Sequence, residues 1–200
     1  MAARPVRYTV DMDERTARRM LVRYYRWLRR YGLNDSHSGN ASLRLGECLL
    51  ITPTGACADT LRPADLVLGP LEGSRPRGAS RDWALHQAVY LRHRRFTAVL
   101  HSHCPHAVAL TLGGGDLAPV DLEGQLYFPR VPAVDVDGDR YVEAAPEPLA
   151  RALDDHGIAI LRGHGVYAAA GDLDEAYKLT CSLEQSARIA WIARVGGTLP

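Results

Sequence analysis

Apolar residues recur every three or four positions through the first part of the chain, up to Tyr31. This spacing is typical of a helix with one buried face. Asp11 and Asp13 are both candidate N-caps for that helix, and Gly32 follows it as a natural C-terminal stop. Arginines fill most of the other faces, so the pattern predicts an amphipathic helix with a basic outer surface.

Farther along the chain, short apolar runs predict strands, and longer runs with helical spacing predict helices. We expect strands at 41–45, 48–52, 66–69, 96–100, 158–161 and 166–170. We expect further helices at 80–93, 105–112, 146–156 and 173–195, and strands and turns over 120–136. This order favours an α/β protein in which helices flank a central, mostly antiparallel sheet. No G-x-G-x-x-G follows a strand, so a dinucleotide site is not expected.

The charge of the chain is balanced, with 24 Lys and Arg residues against 23 Asp and Glu residues. A net charge of +1 gives no case for a nucleic-acid or membrane partner, although a basic helix can bind either. We favour a solvated basic surface. The four cysteines are widely spread, and neither a membrane span nor a signal-peptide core is present. We therefore expect a reduced, cytoplasmic protein.

The most distinctive polar residues follow two predicted strands. His101 and His103 come directly after the run at 96–100, and side chains two apart on an extended backbone point the same way. His164 follows the run at 158–161 between two glycines, which permit a close backbone approach. These are either ordinary polar residues or the three ligands of a catalytic zinc site with an open position. Two such strand ends together favour the metal site.

Other candidate residues lie in loops and at a helix start. The segments at 38–42 and 53–55 offer hydroxyl, amide and backbone N–H groups without negative charge, which suits a phosphate, although each alone is also typical of a turn. Ser80 is a candidate N-cap for the helix at 80–93. Asp82 then either compensates the helix dipole or faces the metal, with His86 on the same helix face.

Five short motifs occur along the chain: Ser38-Gly39-Asn40-Ala41-Ser42, Thr52-Pro53-Thr54-Gly55, Ser80-Arg81-Asp82-Trp83 with His86 and Tyr90, His101-Ser102-His103, and Gly163-His164-Gly165. In this order they resemble the motifs of the class II aldolase/adducin family. The resemblance covers about residues 13–195 and implies one such domain over residues 1–200. It implies a three-layer α/β/α fold around a mostly antiparallel sheet, assembled as a homotetramer.

The resemblance also implies roles for individual residues. Zn²⁺, or another divalent transition metal, would be held by His101, His103 and His164. The family's acid/base residue, normally a glutamate, corresponds to Asp82. The phosphate of the substrate would be held by the loops that contain Gly39, Asn40, Thr54, Gly55 and Ser80.

Three positions depart from the family pattern. Asp82 is one methylene shorter than the family glutamate, so it is open to act as a base, as a metal ligand or through a water molecule. Arg81 replaces the second serine of the phosphate pair, and either binds a phosphate or carboxylate of the substrate or points to solvent. Family aldolases use a tyrosine in the region where this chain has Leu122, which makes Tyr127 the candidate catalytic tyrosine.

The resemblance implies a metal-dependent carbon–carbon lyase of the aldolase type. Its substrate would be a small phosphorylated ketose or sugar-acid phosphate, cleaved through a zinc-stabilised enediolate. Decarboxylation, dehydration and epimerisation can use the same intermediate and stay open. Two other hypotheses are a non-catalytic adducin-like assembly domain, which the intact histidine set argues against, and a metal-dependent isomerase or hydrolase in which Arg81 recognises a carboxylate.

Overall fold

A seven-stranded sheet organises residues 12–199, the part of the chain that the computed structural model describes. The strands lie in the order β3-β2-β1-β4-β7-β6-β5, and all neighbours are antiparallel except the parallel pair β5–β6. The mostly antiparallel sheet expected from the sequence is therefore confirmed. The strands are β1 Asn40–Leu45, β2 Cys48–Ile51, β3 Val67–Pro70, β4 Ala98–Ser102, β5 Ala133–Val134, β6 Ile158–Leu161 and β7 Gly165–Ala170.

Helices cover both faces of the sheet and produce three α/β/α layers. The helices are α1 Glu14–Arg30, α2 Trp83–Arg92, α3 Pro105–Thr111, α4 Leu122–Tyr127, α5 Tyr141–Ala144, α6 Pro146–Ala152 and α7 Leu173–Val195, with 3₁₀ turns at Pro63–Asp65 and Gly138–Arg140. None of the described helices is both long and apolar enough to cross a membrane.

Alternate residues of strand β7 pack into two different hydrophobic cores, one on each face of the sheet. All six of its residues are buried, because helices cover the sheet on both sides. Val166 and Ala168 belong to the core beneath α1 and α7, whereas Tyr167 and Ala169 belong to the core beneath α2 and α6. This alternation follows from the two-residue period of a strand, and it points the ring of Tyr167 toward the α2 side.

The helix starts differ in part from the sequence prediction. Asp13 caps α1 by accepting a hydrogen bond from the backbone N–H of Thr16 at 3.0 Å, whereas the alternative cap Asp11 lies outside the described residues. Helix α2 begins at Trp83, so the prediction of Ser80 as its N-cap was wrong. The hydroxyl of Ser80 instead accepts the backbone N–H of Asp82 at 3.2 Å, which forms a turn before the helix.

The segment 120–136 was predicted as strands and turns, but its first half contains helix α4. This helix has only six residues, and Leu122 and Leu126 are each 75% exposed, so no amphipathic stripe marks it in the sequence. Gly124 in its middle packs directly against Ser186 and Pro119. The helix therefore depends on contacts with distant residues that a local pattern does not reveal.

Candidate metal centre and active site

Three histidines meet at the end of β4 and in the turn between β6 and β7. His101 lies in β4, His103 follows that strand, and His164 lies just before β7. The Nε2 atom of His101 is 3.1 Å from Nε2 of His164 and 3.2 Å from Nε2 of His103. All three possible ligand atoms lie within 4.8 Å of one another. The structure thus brings together the histidines that the sequence analysis selected.

A glycine permits this convergence. Residues His101 and Tyr167 are directly paired between β4 and β7, and their rings stack with centroids 4.1 Å apart. Gly165 begins β7 beside them. A Cβ atom there would lie 2.5 Å from the carbonyl oxygen of Ser102 and 2.7 Å from Cε1 of His101. The glycine after His164 is therefore required for close approach of the two strands.

The three imidazoles fit a divalent transition metal. His101 Nδ1 donates to the carbonyl oxygen of Val166 at 3.1 Å, which leaves the Nε2 lone pair free for a metal. Burial lowers the pKa of His101 well below its ordinary value and also lowers the pKa of His103 and of His164, so all three favour the neutral form. Tetrahedral Zn²⁺ separates two ligand nitrogens by about 3.3 Å. The observed separations of 3.1 and 3.2 Å match that value.

Asp82 places a buried carboxylate beside the histidines. It precedes the first residue of α2, is 3% exposed, and its Oδ2 lies 3.8 Å from Nε2 of His101. Oδ2 accepts hydrogen bonds from Asn40 Nδ2 at 2.7 Å and Tyr167 Oη at 2.9 Å, and Oδ1 accepts one from Tyr141 Oη at 3.0 Å. Burial raises the pKa of Asp82, but the hydrogen bonds that Asn40 and Tyr167 donate to Oδ2 favour the ionised form, and the pKa lies below its usual range. The carboxylate is therefore ionised.

A buried series of hydrogen bonds connects this carboxylate to two side chains of α2. Because the ionised Asp82 only accepts, Asn40 must present its NH₂ group to Asp82 and its Oδ1 to His86 Nε2, 2.5 Å away. Burial lowers the pKa of His86 to about 4, so this ring is neutral and carries its proton on Nε2. Its Nδ1 then accepts from Ser42 Oγ at 2.6 Å, and Ser42 Oγ accepts from Tyr90 Oη at 2.7 Å.

The loops expected to hold phosphate lie side by side. Thr54 donates its backbone N–H to Gly78 at 2.9 Å and its hydroxyl to Ala79 at 2.7 Å, and the backbone N–H of Ser80 bonds the carbonyl oxygen of Thr52 at 3.1 Å. Tyr25 Oη links the carbonyl oxygens of Ser38 and Ala56, each at 3.2 Å. These contacts join the loops that contain the predicted residues Gly39, Asn40, Thr54, Gly55, Ser80 and Arg81.

The predicted phosphate-binding residues differ in their exposure and in how far their polar groups are already used. The side chain of Asn40 is turned to Asp82 and His86, so both ends of its amide are already used inside the protein. Arg81 is exposed at the start of α2. Gly39 has φ +67°, and a Cβ atom there would collide with the side chain of Asn34 and the carbonyl oxygen of His101. This loop therefore lies directly against β4.

Comparison with known proteins decides the family. The sequence model of the Class II Aldolase and Adducin N-terminal domain matches residues 19–191. The chain belongs to this family. It is 30% identical to the 5-methylthioribulose-1-phosphate/5-deoxyribulose-1-phosphate aldolase of Rhodospirillum rubrum over 166 residues, which cover 80% of this chain and 73% of that protein. The resemblance inferred from the five motifs is confirmed.

Two further similarities bear on fold and chemistry. The structure of l-fuculose-1-phosphate aldolase from Thermus thermophilus superimposes with a TM-score of 0.86 at 35% identity, covering 94% of this chain and 98% of that one. This confirms the class II aldolase fold. A 3-oxo-tetronate 4-phosphate decarboxylase of Cupriavidus necator is 41% identical over 85 residues, which cover 42% of this chain and 39% of that protein.

The tyrosines that contact Asp82 do not include Tyr127, the predicted catalytic tyrosine. Tyr127 lies on α4, where the ammonium group of Lys178 is 5.0 Å from its ring centroid, and its catalytic role stays a prediction. Tyr141 and Tyr167 hydrogen-bond Asp82 instead. The sequence carries one weak signal for Tyr167, a hydroxyl-bearing ring inside an otherwise alanine- and valine-rich strand, and it carries none for Tyr141.

Proposed function

We propose that this protein is a metal-dependent class II aldolase-type lyase that cleaves a carbon–carbon bond in a small phosphorylated ketose or sugar-acid phosphate. The observation that carries the proposal is the convergence of three neutral imidazoles with an ionised carboxylate, Asp82, in one site. The relatives named as aldolases of phosphorylated sugars support the same reaction. The family also leads us to propose a homotetramer that works in the cytoplasm.

We propose Zn²⁺, or another divalent transition metal, as the cofactor held by His101, His103 and His164. When bound, such a metal supplies a Lewis acid that stabilises negative charge on substrate oxygens. Asp82 is the acceptor for the proton that must leave the substrate before the bond breaks. Asn40 and Tyr167 hold its inner oxygen, so the carboxylate does not need to reorganise during the reaction.

The phosphate of the substrate would lie against the joined loops. We expect the backbone of Gly39 and Gly55 and the hydroxyl of Ser80 to line it, and the exposed Arg81 to supply a positive charge. Thr54 would shape this cradle, because its N–H and hydroxyl groups already donate to Gly78 and Ala79. We assign the backbone rather than the side chain of Asn40 to this cradle, because its amide already holds Asp82.

Metal content and turnover of two variants test the proposal. We expect about one metal ion per chain in the wild type, its loss in His103→Ala, and retro-aldol products from phosphorylated ketoses. Asp82→Asn should retain near wild-type metal and lose turnover by about 100-fold or more. Absence of metal even after incubation with excess Zn²⁺ would refute the metal-dependent reaction, and full activity of Asp82→Asn would remove Asp82 from it.

Decarboxylation is the second candidate, favoured by the relative that is 41% identical over 85 residues. The two reactions differ in their products. Release of CO₂ from a 3-oxo sugar-acid phosphate, without aldehyde release from ketose phosphates, would assign the protein to this second reaction.

A further inference from the structure

The two oxygens of Asp82 have different surroundings. Oδ2 is enclosed by the buried side chains of Asn40 and Tyr167 and faces His101. Oδ1 accepts a hydrogen bond from Tyr141, which is half-buried. The hydroxyl of Tyr141 therefore lies on the side of the carboxylate that is nearer to solvent.

Tyr141 also lies beside the metal ligands. It is the first residue of α5 and follows the exposed turn Gly138–Arg140. The edge of its ring meets the ring of His164, with centroids 4.8 Å apart and planes inclined by 66°. One side chain thus contacts both the acid/base carboxylate and a metal ligand. Asp82 itself is only 3% exposed, whereas Tyr141 is half-buried, so the tyrosine is the more accessible of the two side chains to a ligand.

We propose that Tyr141 is a catalytic residue, whose hydroxyl contacts the reacting hydroxyl group of the substrate and passes its proton to Asp82. This inference rests on the proposed lyase function. On cleavage, the substrate hydroxyl gives its proton to Tyr141 Oη while Tyr141 gives its own proton to Asp82 Oδ1. The electron pair of the substrate O–H bond forms the carbonyl of the released aldehyde. The electron pair of the broken carbon–carbon bond stays on the other fragment, to which the same two residues return the proton.

Two tyrosine-to-phenylalanine variants form a matched test. Tyr141→Phe and Tyr167→Phe each remove one hydroxyl that donates to Asp82, at 3.0 and 2.9 Å respectively, and each retains the aromatic ring. Of the two, Tyr141 is half-buried and Tyr167 is fully buried. We expect Tyr141→Phe to lower kcat by about 100-fold or more, with KM changed about twofold at most. Tyr167→Phe should lower kcat by less than about tenfold, because Asn40 still holds the inner oxygen.

Metal content and thermal unfolding of both variants accompany the kinetics, and both should match the wild type closely. Wild-type turnover is measured first. If the wild type releases no product from phosphorylated ketoses, the proposed function fails. If the wild type is active, an equal loss of kcat in the two variants would show that Tyr141 only positions Asp82. A near wild-type kcat in Tyr141→Phe would show that Tyr141 takes no part in the reaction. Either of the last two results overturns the inference about Tyr141 and leaves the proposed lyase function in place.

Discussion

At the scale of single residues, the ionised carboxylate of Asp82 determines the direction of a whole hydrogen-bond chain. It has no lysine or arginine partner within the described residues, and a buried charge is tolerated only when donors satisfy it. Asn40 is one such donor, and the neutral ring of His86 prevents its amide from rotating into the opposite orientation. Ser42 and Tyr90 then fix the tautomer of His86. The carboxylate of Asp82 is therefore held in place by a series of buried side chains that extends to Tyr90.

The donor-to-acceptor direction of these hydrogen bonds gives a prediction about stability. Ser42→Ala leaves the hydroxyl proton of Tyr90 and Nδ1 of His86 without their partner in a buried site, whereas Tyr90→Phe leaves Ser42 still donating to His86. An unsatisfied buried group costs about 1–3 kcal/mol. We expect Ser42→Ala to lower the free energy of unfolding by about 2–5 kcal/mol and Tyr90→Phe by about 1 kcal/mol. Urea unfolding measures both, and an equal or larger loss in Tyr90→Phe would contradict the direction of the chain.

The predictability of the site differs from residue to residue. His101 and His103 were recognisable because a short apolar run and a two-residue spacing place them on one strand face. Asp82 was recognisable because it stands at the start of a predicted helix, in the motif that precedes the two histidines along the sequence. Tyr141 and Tyr167 approach Asp82 across 59 and 85 residues of sequence, and their hydroxyls converge only because β7 and α5 pack against α2. No local pattern encodes such a contact.

At the scale of elements, the sheet was predictable because its strands are short apolar runs bounded by turns. Strand β6 has the predicted bounds, 158–161, and helix α7 has the predicted bounds, 173–195. Helices α4 and α5 were missed because six and four residues are too few to show a helical period. The start of α2 was misplaced because Ser80 makes a local turn, which uses the same side-chain oxygen as a helix cap.

The packing of β4 against β7 gives a prediction at this scale. Gly165→Ala would force a Cβ atom within 2.5 Å of the Ser102 carbonyl and 2.7 Å of the His101 ring, so the two strands must separate. We expect it to lower the bound metal per chain and to destabilise the fold by about 1–3 kcal/mol. Gly113→Ala is the matched control, since a Cβ atom at that exposed glycine meets nothing within 4 Å. Unchanged metal content in Gly165→Ala would show that the close approach is not needed for the site.

At the scale of the whole molecule, the site forms where one helical layer meets the sheet. Asp82 directly precedes α2 and His86 lies in it, on one side of the sheet, and the three other histidines lie at or beside the ends of the central strands β4 and β7. This arrangement buries several neutral histidines close to one another. Burial lowers the pKa of each of them, so the folded protein binds protons less readily than the unfolded chain does.

The stability of the metal-free protein should therefore fall as the pH falls from about 6.5 to about 4. The pKa of His86 is 6.5 in an ordinary environment and about 4 in the fold, so between these values only the unfolded chain takes up the proton, and stability rises with pH. This residue alone contributes about 3 kcal/mol across that window. Asp82 acts in the same direction at lower pH: its folded pKa lies below its ordinary value of 3.8, so its stabilising effect is lost only as the pH falls below that value.

A variant without a titrating side chain at position 86 isolates the contribution of His86 to this pH dependence of stability. His86→Gln can still donate to Asn40 and accept from Ser42, because an amide carries one group of each kind. We expect urea unfolding of metal-free His86→Gln to show a pH dependence weaker by about 3 kcal/mol between pH 7 and pH 4, with the remainder due to His101, His103 and His164. His37→Gln, the same substitution at an exposed position, is the control. If His86→Gln retains the full wild-type dependence, His86 is not the buried neutral histidine on which the orientation of Asn40 and Asp82 depends.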